Sequence, residues 1–156
     1  MMTANEYLDE YAKTHRNPTN QIIHFLCVPV ILISTLGLGW LVNAGLLGVE
    51  APWARWVNLS TVLSVVFLLF FYSRLGWSIL LAMTAFMALS FAVIVAVEAA
   101  PLPLLWTAVV AWVAAWIVQG IGHHIEGAKP SFFDDLVFLL IGPLFVLEEF
   151  GLRLRP

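Results

Sequence analysis

The sequence predicts an all-α fold: a polytopic transmembrane helical bundle of four to five apolar helices with a short N-terminal interfacial helix, forming one integral membrane domain over residues 1–156. Three observations predict it. First, 62% of the 156 residues are hydrophobic and 11% are charged, whereas soluble domains carry about 45–50% apolar and about 25% charged residues. With a mean hydropathy of +0.94, the apolar excess is far more than one small core can bury, and lipid is the natural solvent for it. Second, several charge-free runs are long enough to cross a hydrocarbon layer. Third, seven tryptophans are many for this length, and interfacial belts are a natural use for them.

The same composition excludes other classes. A formal charge of −3 gives no basic surface for nucleic acid. The single cysteine, Cys27, allows no internal disulfide and no cysteine-based zinc site, and it reads as core. The first residues include Glu6, Asp9, Glu10 and Lys13, unlike the basic start and apolar run of a cleavable signal peptide. No retention or lipidation motif is visible.

Thr3 to Thr14 reads as the amphipathic helix. Thr3 and Glu6 have capping-box spacing, and Tyr7, Leu8, Tyr11 and His15 fall on one face. This segment is expected to lie on the membrane surface rather than across it. Asn17-Pro18 restarts the chain as a helix, with asparagine at the cap and proline where no hydrogen bond is lost. Gln21 to about Val42 is the first span. Gly45 to Asn58 is a connection, and Leu59 to Tyr72 is a second apolar run, slightly short for a crossing. Arg74-Leu75-Gly76 is a turn. Trp77 to about Val97 is the third span, and Glu98 to Pro103, with two prolines, breaks it; Glu98 reads as a solvated loop residue. Leu104 to Val118 continues apolar, becomes polar at Gln119 and ends near Gly127, longer than the hydrocarbon core requires. Ser131 to Asp134 is a further cap-like start, leading into Leu136 to Phe150, where Gly142-Pro143 is expected to kink or break the helix. A re-entrant or surface-lying course for this last segment brings Arg153 and Arg155 to the same side as Lys13, Arg16, Arg74 and Lys129. That satisfies the positive-inside rule with the N-terminus in the cytoplasm.

Topology then gathers the polar residues. If four runs each cross, the start of the first and the end of the fourth lie on one side of the membrane. The former carries His15, Asn20 and His24; the latter carries Gln119, His123, His124 and Glu126. All four histidines thus converge from segments about a hundred residues apart. Gln119, His123 and Glu126 share one helical stripe, as do Asn20, His24 and Cys27, while His124 lies about 100° from His123.

A lone interfacial histidine is usually a solvated headgroup contact, but two clusters that converge favour a metal site. Imidazoles with an occasional carboxylate suit iron, zinc, copper or nickel. Asn20, Gln119, Asp134 and Glu126 are available as acceptors that fix ring tautomers. His15 can fold in from the surface helix. His124 is structural or substrate-facing. Lys129 can neutralise an anionic substrate or meet a headgroup. Glu126 calls for a reason, because an acid at a helix C-terminus opposes the macrodipole.

His15-Arg16-Asn17-Pro18-Thr19-Asn20-Gln21-Ile22-Ile23-His24, followed by Val28-Pro29, resembles the N-terminal motif of the Mpo-type membrane proteins, a family long catalogued only as a domain of unknown function. Gln119-Gly120-Ile121-Gly122-His123-His124-Ile125-Glu126-Gly127-Ala128-Lys129-Pro130 is similar to its second motif. Phe133-Asp134-Asp135, Gly142-Pro143-Leu144-Phe145 and Glu149 resemble its C-terminal portion. The resemblance spans the chain. It implies an Fe(II)-dependent dioxygenase of long-chain 2-hydroxy fatty acids, in which O2 is consumed, C1 leaves as CO2 and an acid one carbon shorter results. A yeast member sits in the endoplasmic reticulum, in phytosphingosine breakdown. The resemblance places the family histidines at His15, His24 and His123 and the family glutamate at Glu126; His124 matches no fixed position. Asp135 stands where asparagine is common and Ser131 where alanine is common. Small size suits a bacterial member, in the inner membrane; a eukaryotic one would sit in the endoplasmic reticulum, with the metal site at the cytoplasmic face in either case.

The expected assignment is therefore His15, His24 and His123 on iron, Glu126 completing the shell or moving protons, and Asn20 and Gln119 orienting ligands. The acyl tail is expected between the first, third and fourth spans. The competing readings are another membrane metalloenzyme, such as a zinc hydrolase, and a non-catalytic scaffold or small transporter. A histidine-box di-iron hydroxylase needs more histidines than the four present, and transport is disfavoured by the lack of ionisable residues within the spans.

Overall fold

The computed structural model describes residues 2–130, 136–149 and 151–152. Among them are six α-helices and no strand: α1 Ala4–Ala12, α2 Pro18–Trp40, α3 Leu59–Phe70, α4 Trp77–Ala99, α5 Leu104–Glu126 and α6 Phe138–Glu149. Capping chemistry sets several starts as the sequence implies. Thr3 and Glu6 form the capping box of α1. Asn17 Oδ1 accepts the Thr19 N–H at 2.9 Å ahead of Pro18 to open α2. Asn58 and Thr61 make a second reciprocal cap on α3. Gly127 ends α5 in the left-handed region at φ 73°, where a side chain would be strained.

Among the described residues, three helices have the length and apolarity of a membrane span. α2, α4 and α5, each 23 residues, are long and apolar enough to cross a membrane. At 1.5 Å per residue they reach about 34 Å, against a hydrocarbon core of about 30 Å. α3 and α6 have 12 residues each, about 18 Å, too short to cross as straight helices. Pro143 does not break α6 but lies inside it. The cap-like start at Ser131 to Asp134, and Arg153 and Arg155, fall outside the described residues.

α2 is the hub. α5 runs antiparallel along it: Asn20 meets Gly122 at one end, and Gly37 faces Ala108 and Leu104 at the other. Trp112 Nε1 donates to Thr35 Oγ1 at 3.1 Å between them. Small residues at these crossings let the two backbones approach closely, as helices in lipid require. α3 descends beside α2 from Ser60, whose hydroxyl donates to the Leu36 carbonyl at 2.6 Å. α4 rises parallel to α2, with Ile94 beside Gly37. The alternation of direction holds, so the start of α2 and the end of α5 share one end of the bundle. The opposite faces of the long helices stay exposed at Ile22, Leu26, Leu81, Leu89, Val110 and Ile117, which makes them the lipid-facing surface.

Two local expectations are corrected. α1 does not turn its apolar stripe to lipid. Tyr7, Leu8 and Tyr11 are buried in a core with Ile141, Leu144 and Phe145 of α6, because α6 offers a second apolar face that the amphipathic helix can cover. Glu98 is exposed, but it is not a loop residue. It sits in the last turn of α4 and accepts the Trp40 Nε1–H at 2.9 Å, with Arg55 4.0 Å away. The buried indole needs an acceptor, and the end of α4 supplies one. Cys27 is buried as expected.

Candidate metal centre

The site forms where α1 hands over to α2 beside the end of α5. After Ala12 the chain makes two more tight turns, with the amides of Thr14 and His15 donating to the carbonyls of Tyr11 and Ala12, and this swings His15 inward. The segment is strapped down on several sides. Gln21 Nε2 donates to the His15 carbonyl at 2.9 Å, and Asn20 Nδ2 donates to the Thr14 carbonyl at 3.4 Å.

Glu126 is the main strap. One carboxylate oxygen accepts the Arg16 N–H at 2.9 Å; the other accepts the Asn17 N–H at 2.9 Å and Asn20 Nδ2 at 3.1 Å. Its odd position at the C-terminus of α5 is thereby explained. The carboxylate serves the N-terminus of α2, where unsatisfied amides and the macrodipole favour an anion. The metal-ligand cluster found among the described residues does not include it.

That cluster is His15, His24 and His123, all buried, with one ligand nitrogen from each and all three nitrogens within 4.8 Å of one another. The ring centroids lie 4.2 Å apart for His15 and His24, 4.8 Å for His24 and His123, and 5.1 Å for His15 and His123. The planes are near perpendicular, at 75° to 85°. The tautomers follow from the backbone. His15 Nδ1 faces the Tyr11 carbonyl at 2.7 Å, and His24 Nδ1 faces the Asn20 carbonyl at 2.9 Å. A carbonyl only accepts, so each Nδ1 carries the proton and each Nε2 keeps its lone pair. His15 Nε2 and His123 Nδ1 are buried without a hydrogen-bond partner. Burial pushes the His15 imidazole down to about 4, against a smaller opposite pull from the Tyr11 carbonyl. It is therefore neutral and ready to ligate at ordinary pH. Converging, neutral and otherwise unpaired nitrogens fit a divalent transition metal held on one face, with coordination positions left open.

The other expected residues are dispersed around the triad. Asn20 is fully buried and belongs to the Glu126 strap. Gln119 lines the cavity beside His123. His124 and Lys129 are exposed. Asp134 lies outside the described residues. Sequence reasoning left Tyr11 unassigned, yet its ring stacks on His15 at 4.1 Å and 6°. Its place four residues before His15, on the same helical face, was the available signal. Burial pushes the Tyr11 phenol well above its usual range, so it stays an O–H donor.

A cavity of about 620 Å³ opens from the triad into the bundle. It runs along α2 from His24 to Gly39, about 22 Å of helix, between walls from α3, α5 and α6. Ser60, Ser64 and Thr35 are among the few polar residues along it, and each hydroxyl is engaged. The expected wall from the third span is corrected: α4 contributes only Met87, and α3 takes its place with Leu59, Leu63 and Phe67. The short α3 starts against the end of α2 and lies over this groove. On the other side of His15 a shallower recess is bordered by Asp9, Lys13, Arg16 and Gln21. His15 thus separates a polar recess from an apolar shaft.

Three buried histidines drawn from the two sequence motifs thus meet at the head of an apolar cavity, within a bundle suited to lipid. Comparison with curated proteins and with solved structures returns no match. The family model described as 2-hydroxy-palmitic acid dioxygenase Mpo1-like matches residues 1–154. With nearly its whole length covered, the chain belongs to the Mpo1-like family.

Proposed function

We propose that the protein is an Fe(II)-dependent membrane dioxygenase that converts a long-chain 2-hydroxy fatty acid into the fatty acid one carbon shorter and CO2. The observation that carries this reading is the placement of the histidine triad at the head of the apolar cavity, in a chain of this family. The cavity suits one long acyl chain, and the triad suits a head that can chelate through hydroxyl and carboxylate. Ferrous iron, when bound, would supply the redox chemistry that lets O2 react with a closed-shell substrate.

The overall change is R–CHOH–COOH + O2 → R–COOH + CO2 + H2O. C1 leaves as CO2 and C2 becomes the new carboxyl carbon. The electrons released by these two carbons equal those that O2 takes up on full reduction, so no separate reductant is needed.

His15, His24 and His123 would hold the metal, with the Tyr11 and Asn20 carbonyls orienting two of the rings. Glu126, Asn20 and Gln21 would keep the His15 segment in place. The apolar walls would exclude water from the reacting end. Lys13, Arg16, Arg74 and Lys129 belong to the site end of the helices and Arg55 to the other, which favours a cytoplasmic site.

Three histidines with open positions also suit a catalytic zinc ion, so a lipid hydrolase is the second reading. The deciding experiment is anaerobic purification in mild detergent, metal analysis, and incubation with 2-hydroxypalmitate and Fe(II) in air. Iron-dependent O2 uptake with pentadecanoate as product supports the proposal. Bound zinc with no O2 uptake would replace it with the hydrolase, and neither metal nor product would leave a non-catalytic bundle.

A further inference from the structure

Besides the nitrogens of the triad, the hydroxyl of Tyr11 and the side-chain amide of Gln119 line the cavity without a hydrogen bond to a described residue. Both residues are more than nine-tenths buried, at 6% and 7% exposure. Their polar atoms face the cavity, where a group without a protein partner is completed by what enters the cavity. The hydroxyls of Thr35, Ser60 and Ser64 in the same cavity are engaged within the protein, so these two stand apart.

They also stand at one level. Gln119 lies four residues before His123 on α5. A Cβ placed on Gly142 would stand 3.2 Å from Tyr11 Oη and 3.6 Å from Val28 Cγ1, and Val28 lies four residues after His24 on α2. Because α2 and α5 run antiparallel, Gln119 and the Tyr11 hydroxyl both sit about one helical turn, roughly 6 Å, further into the bundle than the imidazoles. Together they form a polar collar between the triad and the apolar shaft. Gly142 keeps the space beside Tyr11 Oη open.

We propose that Tyr11 and Gln119 form the recognition collar for the head of a 2-hydroxy carboxylic acid, and that Gln119 makes the site select this acid over an unsubstituted fatty acid of equal length. This rests on the function proposed above and names the residues behind its substrate class. The chemistry is complementary. Tyr11 Oη–H donates to a carboxylate oxygen, and Gln119 Oε1 accepts the proton of the 2-hydroxyl. The second carboxylate oxygen and the hydroxyl lone pairs remain free toward the histidines. An unsubstituted acid leaves the Gln119 acceptor unpaired in an apolar cavity. A site built to hydrogen-bond a hydroxyl rejects the analogue that lacks it.

The test is ligand binding to the full-length protein in detergent, followed by tryptophan fluorescence, since Trp112 and Trp116 line the cavity. Metal content and melting temperature are read in parallel. The wild type is expected to bind 2-hydroxypalmitate about tenfold more tightly than palmitate. Tyr11→Phe and Gln119→Leu each remove a polar group with little change of volume. Gln119→Leu is expected to weaken 2-hydroxypalmitate by about tenfold and to leave palmitate within about twofold, whereas Tyr11→Phe is expected to weaken both acids by about tenfold, since both carry the carboxylate; each keeps the metal content. Without ligand, both variants are expected to melt no lower than the wild type, since each loses an unpaired polar group; a merely structural partner would melt lower. Equal weakening of both acids by Gln119→Leu, no weakening of either acid by Tyr11→Phe, or lower melting of both variants overturns the collar. A wild type that turns over 2-hydroxypalmitate while Gln119→Leu keeps its preference overturns the collar alone. A wild type that neither binds nor turns over either acid overturns the proposed function as well.

Discussion

The carboxylate of Glu126 receives the backbone N–H of Arg16 at 2.9 Å, joining the last residue of α5 to the segment that presents His15. The Asn17 N–H and the Asn20 amide complete the grip. A carboxylate that accepts several hydrogen bonds at a helix start is a strong local fastener.

Glu126→Ala should therefore act on the fold around His15 before it acts on chemistry. Hydrogen bonds to a charged group contribute about 1.5–3 kcal/mol, and because this carboxylate is partly exposed, a loss of about 2 kcal/mol is expected. Thermal melting in detergent would report it. Glu126→Gln keeps one acceptor and should fall between wild type and alanine in melting temperature while still retaining metal. A glutamine variant that melts like the wild type yet binds no metal would make Glu126 a ligand instead of a strap.

Removing any one imidazole should release the metal. His24→Ala, His123→Ala and His15→Ala are each expected to lower metal affinity by about 100-fold or more, since even outer-shell changes cost 10- to 100-fold. Metal analysis after dialysis against a weak chelator measures this. Full retention in the His24 or His123 variant would remove the triad from consideration.

The buried His15 imidazole gives the metal-free protein a pH dependence. Its value is about 4 in the fold against 6.5 when free, chiefly through burial. The unfolded chain therefore binds the extra proton first as the pH falls. The His15 contribution is fully present above about pH 6.5 and is lost as the pH falls toward about 4. Melting midpoints of the apo-protein between pH 8 and 4 should fall across this window. His15→Gln should show a shallower decline. Equal slopes would contradict the buried, neutral ring.

Two glycines two residues apart on α5, on nearly opposite faces of the helix, make a paired control. A Cβ on Gly122 would run into Asn20 Oδ1 and stand 3.1 Å from Ile23, whereas one on Gly120 meets nothing within 4 Å. Gly122→Ala should cost about 1–3 kcal/mol by overpacking the α2–α5 crossing. It should also loosen the Asn20 hold on Glu126. Gly120→Ala should be neutral or stabilise by up to about 1 kcal/mol through helix propensity. Parallel melts of the two variants would decide whether the close approach is required.

The sequence by itself determined much of this protein. Charge-free runs and cap residues are local signals, so α2, α4 and α5, the box at Thr3 and Glu6 and the restart at Asn17-Pro18 are legible in one dimension. Alternating direction then dictates that His15 and His24 meet His123, since each run returns the chain to the opposite side. The two motifs were likewise enough to point to the family. What the tertiary structure decided is which partner each side chain takes. Glu126 sits in a metal-site stripe by periodicity, yet its carboxylate reaches the amides of another helix. Glu98 reads as a loop residue, yet it lies in the last turn of α4 and accepts from Trp40 across 58 residues. The apolar face of α1 reads as lipid-bound, yet α6 covers it. The wall of the cavity passes from α4 to the shorter α3 because helix packing, not helix length, sets which surfaces enclose a space. Periodicity fixes the direction a residue faces on its own helix. What waits in that direction depends on how separate helices pack, and that is settled only when they meet.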